Sequence, residues 1–123
     1  MSAPFWDLSR LDATRFDAAL FDHEGFLREP SRWSPDLADE IARCLDLNGA
    51  AGLTPAHREV LAACRDFHAR YQRMPTTRVF VKYLGEQLGP GFAGSAALMR
   101  LFPDTPMRLV ALCAGLPKPP NCF

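Results

Sequence analysis

Three times in 123 residues a hydroxyl-bearing side chain stands directly before a proline at the head of an apolar stripe: Ser34-Pro35, Thr54-Pro55 and Thr105-Pro106. The hydroxyl can accept from an unpaired N–H of the first turn. Proline at the first helical position has no N–H to leave orphaned. A chain punctuated in this way is committed to short helices with fixed starting points.

The stripes behind these starts give five helices. The first runs from Pro35 to Asp46, with Leu37, Ile41, Cys44 and Leu45 on one face and Asn48-Gly49 as its stop. The second runs from Pro55 to Arg73 on a stripe of His57, Val60, Leu61, Cys64, Phe67, His68 and Tyr71, and Met74-Pro75 ends it. The third starts near Thr77 and stops before Gly89, with Val79, Phe80, Tyr83, Leu84 and Leu88 inward. A short helix covers Ala96 to Phe102, and an apolar one runs from Pro106 to Ala114 with Gly115 as a left-handed stop.

Outside the helices, residues 1–14 are aperiodic and read as a loose extension. Residues 15–27 predict a β-hairpin: Phe16, Ala18 and Leu20 alternate with Asp17 and Ala19, and Asp22 to Gly25 carry turn chemistry. Three prolines within Leu116–Phe123 forbid helix and predict an extended arm. At ~3.1 Å per residue it spans roughly 25 Å. The expected architecture is therefore a mostly α domain over residues 15–115, with an N-terminal hairpin and a C-terminal arm over 116–123.

Composition narrows the function classes. Fourteen basic and 14 acidic residues cancel, so direct nucleic-acid binding, which draws on displaced counterions, is not expected. No apolar run is long enough to span a bilayer, and the N-terminus does not read as a secretory signal, so a cytoplasmic, membrane-free protein is expected. Glycine-rich phosphate loops, zinc-protease and nucleophile-elbow motifs are absent, and the histidines and cysteines lack metal-ligand spacing; no metal and no resident cofactor are expected.

The four cysteines then stand out. Cys44 and Cys64 fall on helix stripes and read as core. Cys113, in the last turn of an apolar helix, reads either as core or as a second thiol. Cys122 is different: it is penultimate, on a proline-stiffened arm, outside any stripe. A thiol is a nucleophile as thiolate, so cationic neighbours matter. Lys118 lies in the arm, and Arg78 and Lys82 stand one turn apart on the third helix. His57, third in its helix, is a cap or a proton-transfer group, and Trp33 reads as a packing staple.

The tail Ala114-Gly115-Leu116-Pro117-Lys118-Pro119-Pro120-Asn121-Cys122-Phe123 resembles the terminal arm of the TusE/DsrC family of sulfur-relay proteins. Further matches follow in order: Phe21 to Leu27 with Pro30 and Trp33-Ser34, then Leu53-Thr54-Pro55-Ala56-His57, Pro75, Arg78, Val81-Lys82 and Leu101-Phe102-Pro103. Together they cover about residues 16–123. The resemblance implies a carrier that holds sulfur as a covalent, transient persulfide on Cys122, a sulfurtransferase-type relay rather than a stand-alone turnover enzyme. His57, Arg78, Lys82 and Lys118 become candidates for stabilising the persulfide or the arm.

It also implies partners. In the TusE branch these are upstream sulfur-relay proteins and an enzyme that thiolates wobble uridine in tRNA; in the DsrC branch, a sulfite reductase, with a second arm cysteine that pairs with the penultimate one. The position of that second cysteine is Ala111 here, and Cys113 stands two residues later, about 200° away around a helix. This favours a single-thiol carrier, with a Cys113–Cys122 dithiol as the alternative. Arg58 and Thr105 also depart from the family pattern, at a tryptophan and a glycine respectively.

Overall fold

The computed structural model describes residues 3–120. Among them lie five α-helices, α1 (Pro35–Cys44), α2 (Pro55–Tyr71), α3 (Thr77–Leu88), α4 (Ser95–Leu101) and α5 (Pro106–Ala114), with short 3-10 turns before α1, between α1 and α2 and between α3 and α4. No helix among the described residues is long and apolar enough to cross a membrane.

The hydroxyl-proline starts do their expected work at two of three places. Ser34 Oγ accepts from Leu37 N at 3.1 Å, and Thr54 Oγ1 accepts from His57 N at 3.4 Å. Thr105 caps nothing with its side chain, because the chain arrives through a left-handed Asp104 (φ 68°) and Thr105 itself lies outside the extended region an N-cap needs. Thr76 supplies an unforeseen cap, accepting from Val79 N. Two helices stop earlier than expected. Left-handed Asp46 and Asn48 follow α1, and left-handed Gln72 ends α2, its side-chain Nε2 donating to Ala69 O at 2.9 Å.

α5 is the central element. It packs against α1, α2 and α4, and Met107, Val110, Ala111, Leu112, Cys113 and Ala114 are all buried. Apart from part-buried Arg108 and Leu109, the helix is apolar and interior. α3 packs on α2 and carries the 90–92 turn and α4. The expected inward face of α2 and α3 needs two corrections: Tyr71 is 50% and Val79 46% exposed. They flank the α2–α3 loop, where the arm passes.

The expected β-hairpin does not form. No strand occurs among the described residues; Phe21 and Leu27 make one isolated antiparallel bridge. Asp22 Oδ1 accepts from Glu24 N and Phe26 N, drawing residues 22–26 into a closed turn. On one side Asp17 caps a 3-10 turn at Ala18–Leu20; on the other, Pro30 opens another and has no N–H to offer. On the Asp17 flank a local side-chain-to-backbone bond thus outcompetes the ladder, and on the Pro30 flank the missing N–H ends it. The segment expected to be loose also contributes to the core. Trp6 is 5% exposed and its Nε1–H donates to Gly25 O at 2.9 Å, while Leu11 is buried. Arg10 reaches Cys44 O and makes a bidentate pair with Asp46.

Candidate functional site, the base and track of the C-terminal arm

α5 ends in a Schellman turn. Gly115 takes φ 66°, its N–H donates to Leu112 O at 3.3 Å, and Leu116 N–H donates to Ala111 O at 3.0 Å. Glycine is required twice over. The backbone is left-handed, and a Cβ would lie 2.6 Å from Trp33 Cδ1 and 2.9 Å from Leu27 Cδ2.

Two further carbonyls of the last turn would be orphans, and long-range donors take both. Trp33 Nε1–H donates to Cys113 O at 2.8 Å. Arg65 Nη1 donates to Ala114 O at 2.8 Å, while its Nη2 donates to Pro30 O at 3.2 Å and its guanidinium lies 4.4 Å from the centre of the Trp33 ring. Trp33 is therefore more than a staple for the α1 entry. With Arg65 it fixes the point and direction from which the arm departs. Arg65 was not singled out in the sequence; its only sign was a cation beside the buried stripe residue Cys64.

The arm then runs over the body. Leu116 is buried, Pro117 is exposed, and Lys118 Nζ pairs with Glu24 Oε2 at 2.8 Å. Pro119 is buried, and exposed Pro120 lines a groove together with Phe67, Arg73, Met74, Pro75, Thr76 and Val79. Cys122 lies outside the described residues. It follows Pro120 by two positions in the sequence.

The sequence candidates divide around this groove. Lys82 lines an adjoining groove that shares Phe67, Arg73 and Val79 with the first. Arg78 is exposed on the same helix, one turn before Lys82, and is not among the groove-lining residues. Arg73, which the sequence reading passed over, borders both grooves and also the stretch of arm from Pro117 to Pro120. Its sign in the sequence was a cation two residues before the helix-breaking Pro75. Lys118 sits at the arm's base, engaged with Glu24. Arg58, a departure from the family pattern, pairs with Asp39 at 2.6 Å at the other end of α2.

His57 is not brought to the arm. It completes a capping box: Thr54 N–H donates to its Nδ1 at 3.1 Å, and its Nε2 lies 2.9 Å from Leu101 O. A carbonyl only accepts, so the Nε2–H tautomer satisfies both contacts. Burial pushes its pKa below the ordinary value, with the Leu101 bond opposing, and the ring meets Phe102 edge-on. Ten residues of α2, roughly 15 Å of rise, separate it from Phe67.

The other thiols are sealed. Cys44, Cys64 and Cys113 are free and buried. Burial pushes Cys64 and Cys113 up to about 12, and it raises Cys44 as well, with the neighbouring Glu40 carboxylate adding to the effect. None supplies appreciable thiolate at neutral pH. The rotation separating position 111 from Cys113 proves immaterial to exposure, because Ala111 and Cys113 are both 0% exposed.

Comparison with known proteins agrees with this architecture. The chain is 40% identical over 102 residues to the sulfurtransferase TusE of Escherichia coli strain K12, covering 83% of this chain and 90% of that protein. It is 38% identical to a TusE homologue of Haemophilus influenzae over the same length. Among solved structures, the NMR structure of Allochromatium vinosum DsrC matches with a TM-score of 0.73 at 35% identity, covering 84% of this chain and 88% of that one. The oxidized gamma-subunit of the dissimilatory sulfite reductase (DsrC) from Archaeoglobus fulgidus matches with a TM-score of 0.64 at 29% identity, covering 84% and 90%. The family model described as DsrC like protein matches residues 15–123, and the chain belongs to that family.

Proposed function

We propose that this protein is a sulfur carrier that accepts sulfane sulfur on Cys122 and passes it to a downstream enzyme, for 2-thiolation of the wobble uridine in tRNA. The observation that carries the reading is the contrast among the thiols. Three are enclosed by the core, while the fourth follows an arm whose base is clamped by Trp33, Arg65 and Glu24. The names borne by its relatives support the same chemistry.

In the reaction, the Cys122 thiolate attacks the outer sulfur of a donor persulfide. A new S–S bond forms at Cys122, the donor's S–S bond breaks, and the donor leaves as a thiolate. No net oxidation occurs. The Cys122 persulfide is more acidic than a thiol and is anionic at neutral pH, so cations near the tip of the arm favour it. Arg73 and Lys82, which line the adjoining grooves, are the candidates for that role, together with Arg78 one turn before Lys82 on α3. Upstream relay proteins as donor and a tRNA-thiolating enzyme as acceptor are the partners this chemistry calls for.

The dithiol reading requires Cys113, fully enclosed in the core, to come out of it before it can pair with Cys122, which weighs against it. Incubation with a cysteine desulfurase, cysteine and relay proteins should add the mass of one sulfur atom to the wild type and none to Cys122→Ala. Equal uptake by Cys122→Ala overturns the reading. In cells, loss of 2-thiouridine with that variant would place the acceptor in tRNA modification; intact 2-thiouridine would exclude it.

A further inference from the structure

Residues 3–14 precede the span that the family model matches, yet they are built into the surroundings of the arm. Phe5 N–H donates to Glu24 O at 2.9 Å, and the Phe5 ring meets Phe26 edge-on at 5.7 Å. One residue on, Trp6 hydrogen-bonds Gly25 O and packs edge-on against Phe21 at 5.2 Å. The Phe5 ring is thereby pinned beside the 22–26 turn. Two cations lie over it: the Arg108 guanidinium at 4.1 Å and the Lys118 ammonium at 5.5 Å from its centre. That same ammonium holds Glu24 Oε2 at 2.8 Å, and the Glu24 side chain is only 13% exposed.

An exposed lysine–carboxylate pair contributes little, because water screens it and the lysine stem must be immobilised. A half-buried carboxylate walled by an aromatic face is a stronger holder. The ring excludes water from one side and attracts the cation through its quadrupole. Lys118 is flanked by Pro117 and Pro119, so fixing its ammonium fixes a stiff stretch of the arm rather than one side chain. We propose that Phe5 is a positioning residue for the C-terminal arm. It closes an aromatic wall over the Lys118–Glu24 pair, so that the N-terminal extension sets the direction in which Cys122 is presented. The positional claim stands on geometry alone; its consequence for sulfur transfer rests on the carrier reading above.

The Lys118 amide, isolated between two prolines, is a convenient reporter by 15N relaxation. Phe5→Ala, Phe5→Leu and Glu24→Gln should each lower its order toward that of a free chain, while Phe5→Tyr retains it. Thermal melts establish that each variant is folded, and Glu24→Gln tests the clamp from the side opposite Phe5. Unchanged order at Lys118 in folded Phe5→Ala and Glu24→Gln overturns the proposal, as does Phe5→Leu behaving like the wild type. Loosening the arm lowers the effective concentration of Cys122 at a docked donor. Uptake from a protein persulfide donor should therefore fall about three- to tenfold in kcat/KM for Phe5→Ala. Uptake from cysteine persulfide should not change. Increased Lys118 motion in variants of a protein whose wild type takes up no sulfur from either donor would sustain the clamp and sink the carrier reading instead.

Discussion

The indole N–H of Trp33 donates to the backbone carbonyl of Cys113 at 2.8 Å, across 80 residues of sequence. It thereby ties the entry of α1 to the last turn of α5. With Arg65 on Ala114 O, it gives the arm a rigid root.

Trp33→Phe retains most of the ring but leaves the Cys113 carbonyl without its donor. A loss of about 1–3 kcal/mol is expected for a part-buried acceptor of this kind. Arg65→Met removes two donors and a cation over the Trp33 ring together and should cost at least as much. Because the two side chains touch, the double variant should lose less than the sum. Urea denaturation monitored by circular dichroism measures all three, and strict additivity would show that the two anchors act independently.

Gly115→Ala should be far more damaging than a left-handed backbone alone explains. Gly49 shares a positive φ, 56°, but a Cβ there meets nothing within 4 Å, so Gly49→Ala should cost only about 1–2 kcal/mol. At Gly115 the added methyl strikes the Trp33 ring and Leu27, adding an overpacking cost of about 1–3 kcal/mol. Equal losses at the two sites would mean that Trp33 gives way freely.

Thiol labelling should separate the cysteines by environment. At pH 7.5 a thiol-specific reagent should modify Cys122 in the native protein and leave Cys44, Cys64 and Cys113 untouched until denaturant is added. Peptide mass mapping reads the outcome. Native labelling of Cys113 at the rate of Cys122 would contradict its enclosure and revive the dithiol alternative.

Arg73 and Lys82 should tune the ionisation at the tip of the arm. In Arg73→Gln and Lys82→Gln the pH midpoint of Cys122 alkylation should move upward, because a removed cation no longer favours the thiolate. High salt should shrink the difference from wild type. A midpoint that ignores both substitutions would take these residues out of the site.

His57 should make the fold acid-sensitive. Its folded pKa lies below the ordinary 6.5, so the folded chain binds fewer protons than the unfolded one at acidic pH. The stability contributed by the neutral ring is whole above about pH 6.5 and is lost as pH falls through the lowered folded value. His57→Gln cannot titrate there and should flatten the stability profile between pH 7.5 and 5. A wild-type profile as flat as that of the variant would refute the assignment.

Much of the helical frame was legible from local chemistry. Ser34-Pro35 and Thr54-Pro55 start helices because cap and proline act within one turn, and Gly115 stops α5 because only its own backbone must turn left-handed. The family resemblance was legible for the same reason, since Gly115 to Cys122 is a contiguous string. The hairpin at residues 15–27 was misread because alternation cannot reveal that the Asp22 carboxylate will take the N–H groups of Glu24 and Phe26.

The rest was settled by contacts between residues distant in the chain. Nothing in the spacing of Trp33, Arg65 and Cys113 announces that two side chains will satisfy the last carbonyls of α5. That arrangement exists because α5 is enclosed and its orphan acceptors have no water to turn to. Trp6 looked like part of an aperiodic tail, and its place in the core depends on the 22–26 turn lying beneath it. Arg73 joins the arm's track because α2 ends at Gln72 and the arm folds back over that end. The sequence determined which segments are helical and which thiol stands apart; tertiary packing determined where the arm is rooted and which cations attend it, because a carbonyl or an ion pair takes its partner from whatever the fold brings within reach.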